Sequence, residues 1–408
     1  MAVPALTSLA EKWNTFYSQT VQIAYTPEQE ALRQELREYF AVLMTPEVEA
    51  EVASGDSGGP ACLEAVRTMG RDGWLGIGWP KEFGGQGRSD LEQFIFTNEA
   101  WRAGVPIPFL TINTVGKTIM EFGSEEQKAK FLPKILKGEL HFSIGYTEPG
   151  SGTDLASLKT TAVKDGDEWS INGQKVFTSL ASYADYIWLA ARTDPDAPKH
   201  KGITIFLVPT TDPGFSYTKI HTMVNASTTS TFYNDVRVGD DAVVAGVNRG
   251  WDLITNQLNY ERLSLAPPGM VERCYEDVVR YAKDTKLADG RRVIDQEWVQ
   301  INLARVQAKT EFLKLINWKV ATGKINPGDA SSAKVFGTEF FTEAYRLLLE
   351  VLGPTGSLRR GSPLAALQGR IERAMQGALI LTFGGGTNEV QRDLIALFGL
   401  GMPRIPRH

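Results

Sequence analysis

Apolar residues recur at helical spacing through the first third of the chain, change to strand-like patterns in the middle, and return to helical spacing for the remainder. Leu32, Leu36, Phe40 and Leu43 continue one face of a helix opened by Thr26-Pro27-Glu28-Gln29. There Thr supplies the cap, Pro the first helical position and Gln the return bond of a capping box. Beyond a glycine-rich loop from Ser54 to Pro60, the spacing resumes at Leu63, Val66 and Met69. Ser124-Glu125-Glu126-Gln127 caps a further helix running toward Gly138. Gly84-Gly85-Gln86-Gly87 reads as a loop, and with no strand before it, it is a weak phosphate-binding signal.

From Lys159 to Arg192 the pattern is short strands broken at Asp165-Gly166 and Asn172-Gly173, the second a strong hairpin signal. Gly202 to Pro209 reads as a buried strand, and Phe232 to Val238 as an edge or half-buried one. From Gly250 helical periodicity returns. Val299, Leu303, Val306 and Thr310 mark one face, and Phe312, Leu315, Ile316 and Val320 lengthen the pattern. Asn326-Pro327-Gly328-Asp329 predicts a turn, Ala330 to Leu352 a long helix stopped by Gly353-Pro354-Thr355-Gly356, and Leu364 to Leu381 the last long helix before Gly384-Gly385-Gly386. The expectation is an α+β multi-domain chain: an extension over 1–25, a helical domain over 26–141, an antiparallel β domain over 142–245 and a helical domain over 246–408.

Within the last region, Ile254, Leu258, Glu261 and Leu265 share one helical face that is apolar apart from one carboxylate. Desolvation raises the pKa of such a Glu, which suits a general base working near neutral pH. Taken alone, the stretch fits better a structural pairing of Glu261 with a neighbouring Lys or Arg. Composition adds exclusions. With 408 residues the chain exceeds one compact core, and 42% hydrophobic with 22% charged residues is ordinary for a globular protein. A net charge of −5 offers no footprint for nucleic acid or an anionic membrane. Cys62 and Cys274 match no metal or redox spacing, residues 1–25 lack a secretion signal, and no apolar run is long enough to cross a bilayer, so a cytoplasmic protein is expected.

Four motifs carry a family resemblance. Tyr146-Thr147-Glu148-Pro149-Gly150-Ser151-Gly152-Thr153-Asp154, Asn172-Gly173-Gln174-Lys175 with Phe177 and Ser179, Phe232 to Val238, and Thr387 to Arg392 resemble, in order and spacing, the motifs of the acyl-CoA dehydrogenases. The match runs from about residue 26 to 402 and is most similar to the actinobacterial members acting on steroid side-chain CoA thioesters. The resemblance implies a helical N-terminal domain, a β domain and a C-terminal four-helix bundle. It also implies FAD as cofactor and removal of an α-proton with transfer of the β-hydride to flavin N5. By the same resemblance Ile144, Tyr146, Thr147, Gly152, Thr153, Phe177, Ser179, Thr387 and Glu389 hold the cofactor, and Thr153, Leu258, Asn259, Arg262 and Gly385 contact the acyl-CoA. Electron-transfer flavoprotein is the implied electron acceptor.

Three departures refine what the resemblance implies. Many relatives carry the base within a Tyr-Glu-Gly loop, where this chain has Gly384-Gly385-Gly386. A minority carry it in a Leu-X-X-Glu-Arg context, which Leu258 to Arg262 matches, making Glu261 the base. Gly385 can still donate its backbone N–H to the thioester oxygen. At the far end of the cofactor, Thr285 stands near a common Arg, Glu350 and Pro354 fall in a common Gln-X-X-Gly-Gly turn, and Glu389 replaces a common Gln; Arg291 or Arg292 could compensate. Glu would repel a pyrophosphate and Pro removes a donor, so a homologous second subunit completing the site in an α2β2 assembly is expected. Pro267-Pro268-Gly269 interrupts an otherwise continuous helix, and with the three glycines it enlarges the pocket, predicting a bulky or branched acyl group. The alternatives are a homotetrameric branched-chain or long-chain acyl-CoA dehydrogenase, an acyl-CoA oxidase, and a non-catalytic subunit of a heteromeric enzyme.

Overall fold

A computed structural model describes residues 23–55, 57–224, 227–264, 266–322 and 327–404, with backbone only at 258–264 and 327. The first third is helical, as the capping signals require: α1 (Pro27–Leu43), α2 (Pro46–Ser54), α3 (Pro60–Arg71), α4 (Asp90–Ala103), a π-helical turn over Leu110–Gly116 leading into α5 (Lys117–Phe122), and α6 (Glu125–Leu136). Both capping boxes read from sequence form, Thr26 with Gln29 and Ser124 with Gln127. Leu32, Leu36 and Phe40 of α1 are buried in one cluster with Ile95, Phe96 and Ala100 of α4.

The middle is an eight-stranded sheet: β1 (Phe142–Gly145), β2 (Thr161–Asp165), β3 (Glu168–Val176), β4 (Tyr186–Arg192), β5 (Ile203–Pro209), β6 (Phe215–His221), β7 (Ser227–Gly239) and β8 (Val243–Val244), in the order β6-β7-β3-β2-β4-β5-β8 with β1 beside β4. The expectation of a wholly antiparallel sheet is corrected: β1 runs parallel to β4, and β2 meets β4 in parallel at Thr161 and Arg192. The chain between β1 and β4 makes a long excursion through the β2–β3 hairpin, and only such a crossover can join parallel neighbours. Gly166 turns that hairpin with φ +61°, as predicted. Asn172-Gly173 does not turn a hairpin but lies inside β3, where the register against β7 shifts between Ile171 and Gly173. Gly173 has φ +152°, and a Cβ there would lie 2.7 Å from Thr160 Cα. The glycine serves a β-bulge and a close backbone approach, which share their sequence signal with a turn.

The remainder is helical: α7 (Gly250–Ser264), α8 (Gly269–Asp284), α9 (Glu297–Thr322), α10 (Pro327–Leu352), α11 (Arg370–Ala378) and α12 (Asn388–Leu394). α10 packs against α7, α8 and α9, and the chain breaks at the Pro267–Pro268 pair as its backbone chemistry demands. Val299, Leu303, Val306 and Thr310 of α9 are buried, but the stripe continues through Leu313 and Asn317, while Phe312 and Leu315 are 50% and 44% exposed. A period of 3.6 carries the buried face from 306 and 310 to 313 and 317, so the expected extension through 312 and 315 is corrected. The long helix predicted over Leu364 to Leu381 is also corrected. Leu367 and Gln368 take left-handed backbone (φ +48° and +54°), so α11 begins only at Arg370 and closes in a tighter turn over Leu379–Thr382. Among the described residues no helix is long and apolar enough to cross a membrane.

Candidate active site

The signature stretch leaves β1 at Tyr146 and folds back on itself, Glu148 and Ser151 exchanging both backbone bonds (3.0 and 3.1 Å). The buried Glu148 carboxylate accepts from Lys159 N (2.6 Å), Thr160 N (2.8 Å) and Lys175 Nζ (2.8 Å). Lys175, fully buried on β3, also donates to the Tyr146 carbonyl (3.1 Å). Burial pushes the Lys175 ammonium down to about 8 against the pull of Glu148. For Glu148, burial works to raise the carboxyl, but Lys175 and the two N–H donors prevail and hold it below its ordinary value. Val176 N donates to the Thr147 carbonyl (2.8 Å), so the ends of β1 and β3 lie side by side.

Ile144, Tyr146 and Thr147 are thereby brought beside Phe177 and Ser179. Phe177 has φ +60° and is 62% exposed, an aromatic ring held out on backbone that costs on the order of 1 kcal/mol for an L residue. Ser179 Oγ pairs with Thr228 Oγ1 (3.1 Å), and the Ser179 carbonyl accepts from Ser143 Oγ (2.5 Å). Gly152 and Thr153 lie exposed at the tip of the loop. A presented aromatic face beside hydroxyls and strand-end backbone fits a flat aromatic cofactor such as the flavin of FAD.

The signature is tied to α7 by a chain of buried side chains. Trp188 Nε1 donates to the Tyr146 hydroxyl (2.9 Å), which donates to Gln257 Oε1 on α7. Gln257 is 1% exposed and its Nε2 has no partner among the described residues. Glu261 follows one turn later on α7. Ile254 is buried as expected, whereas the side chains of Leu258, Asn259, Glu261 and Arg262, and residue Leu265, lie outside the described residues.

Gly385 takes φ +67°, which a Glu in its place could adopt only with strain, and Gly386 takes φ +96°. Lys334 of α10, fully buried, donates to the carbonyls of Thr382 (3.2 Å) and Gly386 (2.9 Å) and to Asn388 Oδ1 (2.7 Å), moulding this loop. Thr387 caps α12, accepting from Val390 N (3.3 Å), and Glu389 is exposed in its first turn. The described hydrogen bonds of Thr387 run to α12 rather than to the signature loop.

At the other departures, Glu350 accepts from Arg346 Nη1 (2.6 Å) and Asn302 Nδ2 (3.0 Å). Thr285 closes α8, and Pro354 sits in the turn Gly353–Ser357. Arg291 pairs with Asp289 and Arg292 with Asp295, each at 2.7 Å, so both candidate substitutes for the missing Arg are engaged by local carboxylates. Sequence reasoning passed over Lys334, Gln257 and Trp188. A Lys in an amphipathic helix reads as solvated, and a Gln–Tyr–Trp contact between residues 146, 188 and 257 leaves no local signal.

A helical domain, a bulged β-sheet carrying this signature loop, and a helical bundle with a glycine loop together define an acyl-CoA dehydrogenase. The chain matches that family's N-terminal domain model at residues 26–139, its middle domain at 143–236 and its C-terminal domain at 248–399, and it belongs to the family. It is similar to the acyl-CoA dehydrogenase FadE26 of Mycobacterium tuberculosis, at 57% identity over 95% of this chain and 100% of the relative. Its fold matches a chain in the crystal structure of the ChsE4-ChsE5 complex from M. tuberculosis with a TM-score of 0.89 and 58% identity, covering 94% of this chain and 100% of that one. A chain of the Tcur3481-Tcur3483 steroid acyl-CoA dehydrogenase gives a TM-score of 0.89 at 49% identity, again over 94% and 100%.

Proposed function

We propose that this acyl-CoA dehydrogenase oxidises the α,β-bond of a bulky acyl-CoA thioester, a steroid side-chain ester above all, with FAD as cofactor and Glu261 as the base. One observation carries the reading. α7, which bears Glu261 in its Leu-X-X-Glu-Arg context, is hydrogen-bonded through Gln257 to the signature residue Tyr146, while the alternative base position is Gly385.

Glu261 takes the α-proton, and the Gly385 N–H donates to the thioester oxygen as negative charge gathers there. Ile144, Tyr146, Thr147, Gly152, Thr153, Phe177 and Ser179 would hold the flavin end of FAD, with Thr387 and Glu389 near its remainder. FAD, when bound, supplies the acceptor for the β-hydride, and electron-transfer flavoprotein then takes the electrons. By the family resemblance Thr153, Leu258, Asn259 and Arg262 would contact the acyl-CoA. The substrate class is supported by the relatives named for steroids, by the Pro267–Pro268 break and by the absence of bulk at residues 384–386.

The test is flavin bleaching under anaerobic conditions. Glu261→Gln should bind substrate yet lose bleaching by at least about a thousandfold. A sterol-derived thioester should turn over faster than butyryl-CoA. Normal bleaching by Glu261→Gln would remove Glu261 as base, and preference for butyryl-CoA would remove the bulky substrate.

A further inference from the structure

One cavity lies outside every residue assigned above to the base, the cofactor or the acyl-CoA. It has a volume of about 250 Å³ and sits where α1, α4, α8 and α9 meet, with Tyr25, Phe94 and Trp318 among its walls. Its α8 wall is held in place at both sides of the proline break. Asn98 Oδ1 accepts from Gly269 N (2.7 Å), and Asn317 Nδ2 donates to the Ala266 carbonyl (3.1 Å).

Glu272, which lines this cavity, is only 8% exposed. Its Oε1 accepts from Lys314 Nζ (2.8 Å), whereas its Oε2 is buried and has no partner among the described residues. A buried acceptor left unmet is destabilising, and more so when it carries charge. The Tyr25 hydroxyl faces the same cavity. It accepts from Trp318 Nε1 (2.9 Å) and keeps a second lone pair to offer.

The surrounding charges leave an acidic surplus. The carboxylates of Glu30, Glu99, Glu272 and Glu311 outnumber the cations of Arg33, Arg37 and Lys314, all of which are already paired with them. Arg102, nearby on α4, is paired with Glu276. Among the described residues no cluster of carboxylates, imidazoles and thiols could hold a metal ion. The walls are aromatic instead, and the Arg33 guanidinium already lies 4.9 Å from the centre of the Tyr25 ring. Aromatic faces beside a surplus carboxylate suit an organic cation.

We propose that this cavity is a second binding site, for a small primary amine whose ammonium donates to Glu272 Oε2 and to the Tyr25 hydroxyl while its carbon chain lies against Phe94 and Trp318. The charge-assisted bond completes the buried carboxylate. The terminal torsion of a Glu is soft enough to turn that oxygen toward the head group. The competing role is structural, with Glu272 and Lys314 as an ion pair fastening α8 to α9. A purely structural pair has no preference among small molecules.

The experiment is isothermal titration of the full-length, FAD-loaded holoenzyme with n-butylamine, n-butanol and tetramethylammonium, repeated on Glu272→Gln and Tyr25→Phe. The amine should bind with a Kd of about 1 mM or tighter. Butanol lacks the charge and tetramethylammonium lacks an N–H, so each should bind at least about tenfold more weakly. Glu272→Gln should weaken the amine at least about tenfold, and Tyr25→Phe about three- to tenfold. Thermal unfolding checks that each variant folds, and Tyr25→Phe decides the matter if Glu272→Gln does not. Excess acyl-CoA should leave the Kd of the amine unchanged. The proposal is overturned by an amine that binds no better than butanol, by binding untouched in a folded variant, by displacement with acyl-CoA, or by no saturable binding below about 10 mM. None of these outcomes bears on Glu261 as the base.

Discussion

At the scale of single residues, the buried Glu148–Lys175 pair holds the signature loop. It joins the signature to β3 through one ammonium that also supports the Tyr146 carbonyl. Lys175→Met would leave a buried carboxylate with two N–H donors and no cation, a change that costs about 3–5 kcal/mol. The expected outcome is a clear fall in the unfolding midpoint and weaker flavin retention, with the Glu148→Gln/Lys175→Met pair losing less than the sum of the single variants. The pH dependence has two signs. Glu148 is held below its ordinary 4.5, so its contribution is present above that pH and lost as pH falls through its folded value. Lys175 is held near 8 against an ordinary 10.5, so the cost of its charge is full below about 8 and is relieved as pH rises toward 10.5. Denaturant unfolding across pH should show both limbs in the native chain, and only Lys175→Met should lose the alkaline gain. Glu148 and Lys175 both fell within motifs legible in the sequence. Their burial was not, because a Lys on a strand carries no mark of which face it takes.

Among the elements, helices that announce themselves chemically were legible to the residue: Thr26 and Ser124 begin α1 and α6 where their capping boxes stand. Elements governed by tertiary approach were not. Asn172-Gly173 has the chemistry of a turn, but Thr160 lies across its α-carbon and makes it a bulge. Leu367 and Gln368 break a hydrophobic pattern that sequence alone reads as continuous, with no Gly or Pro to mark the stop. The glycine loop was legible by composition, yet its fixing by Lys334 was invisible from residues 52 and 54 positions away. Lys334→Met would strip three acceptors of their donor at about 1–3 kcal/mol for each one left dry. The loop would then carry the Gly385 N–H away from the thioester oxygen. The expected result is a kcat reduced about 10- to 1000-fold with KM little changed, since that contact strengthens as the oxygen gains charge. Unchanged kcat in a folded Lys334→Met would mean that the loop holds its shape without the ammonium.

Across the whole molecule, the C-terminal helices present apolar surface that a solitary chain has no use for. Trp298, Ile301, Phe312 and Leu315 fall along one stripe of α9, at 44%, 45%, 50% and 44% exposure. Ile380, Phe383, Phe398, Leu400 and Met402 are likewise exposed near the chain's end. An apolar stripe of this kind on an otherwise solvated helix face is where a partner would pack. The same domain holds Glu350 and Pro354, which would disfavour a pyrophosphate where the family resemblance expects the far end of the cofactor, and Arg291 and Arg292 are engaged locally. A second copy of this chain would bring the same unsuitable residues, whereas a homologous but different subunit could bring a suitable Arg and turn. We therefore expect this chain expressed alone to purify with well under one FAD per chain. Co-expressed with a neighbouring homologue, it should give a yellow α2β2 assembly, read by absorbance and by mass in solution. Phe312→Glu with Leu315→Glu should abolish that assembly and, with it, the colour. A yellow homotetramer with stoichiometric FAD from this chain alone would mean that Arg291 or Arg292 leaves its carboxylate to complete the site, and the heteromeric arrangement would fall.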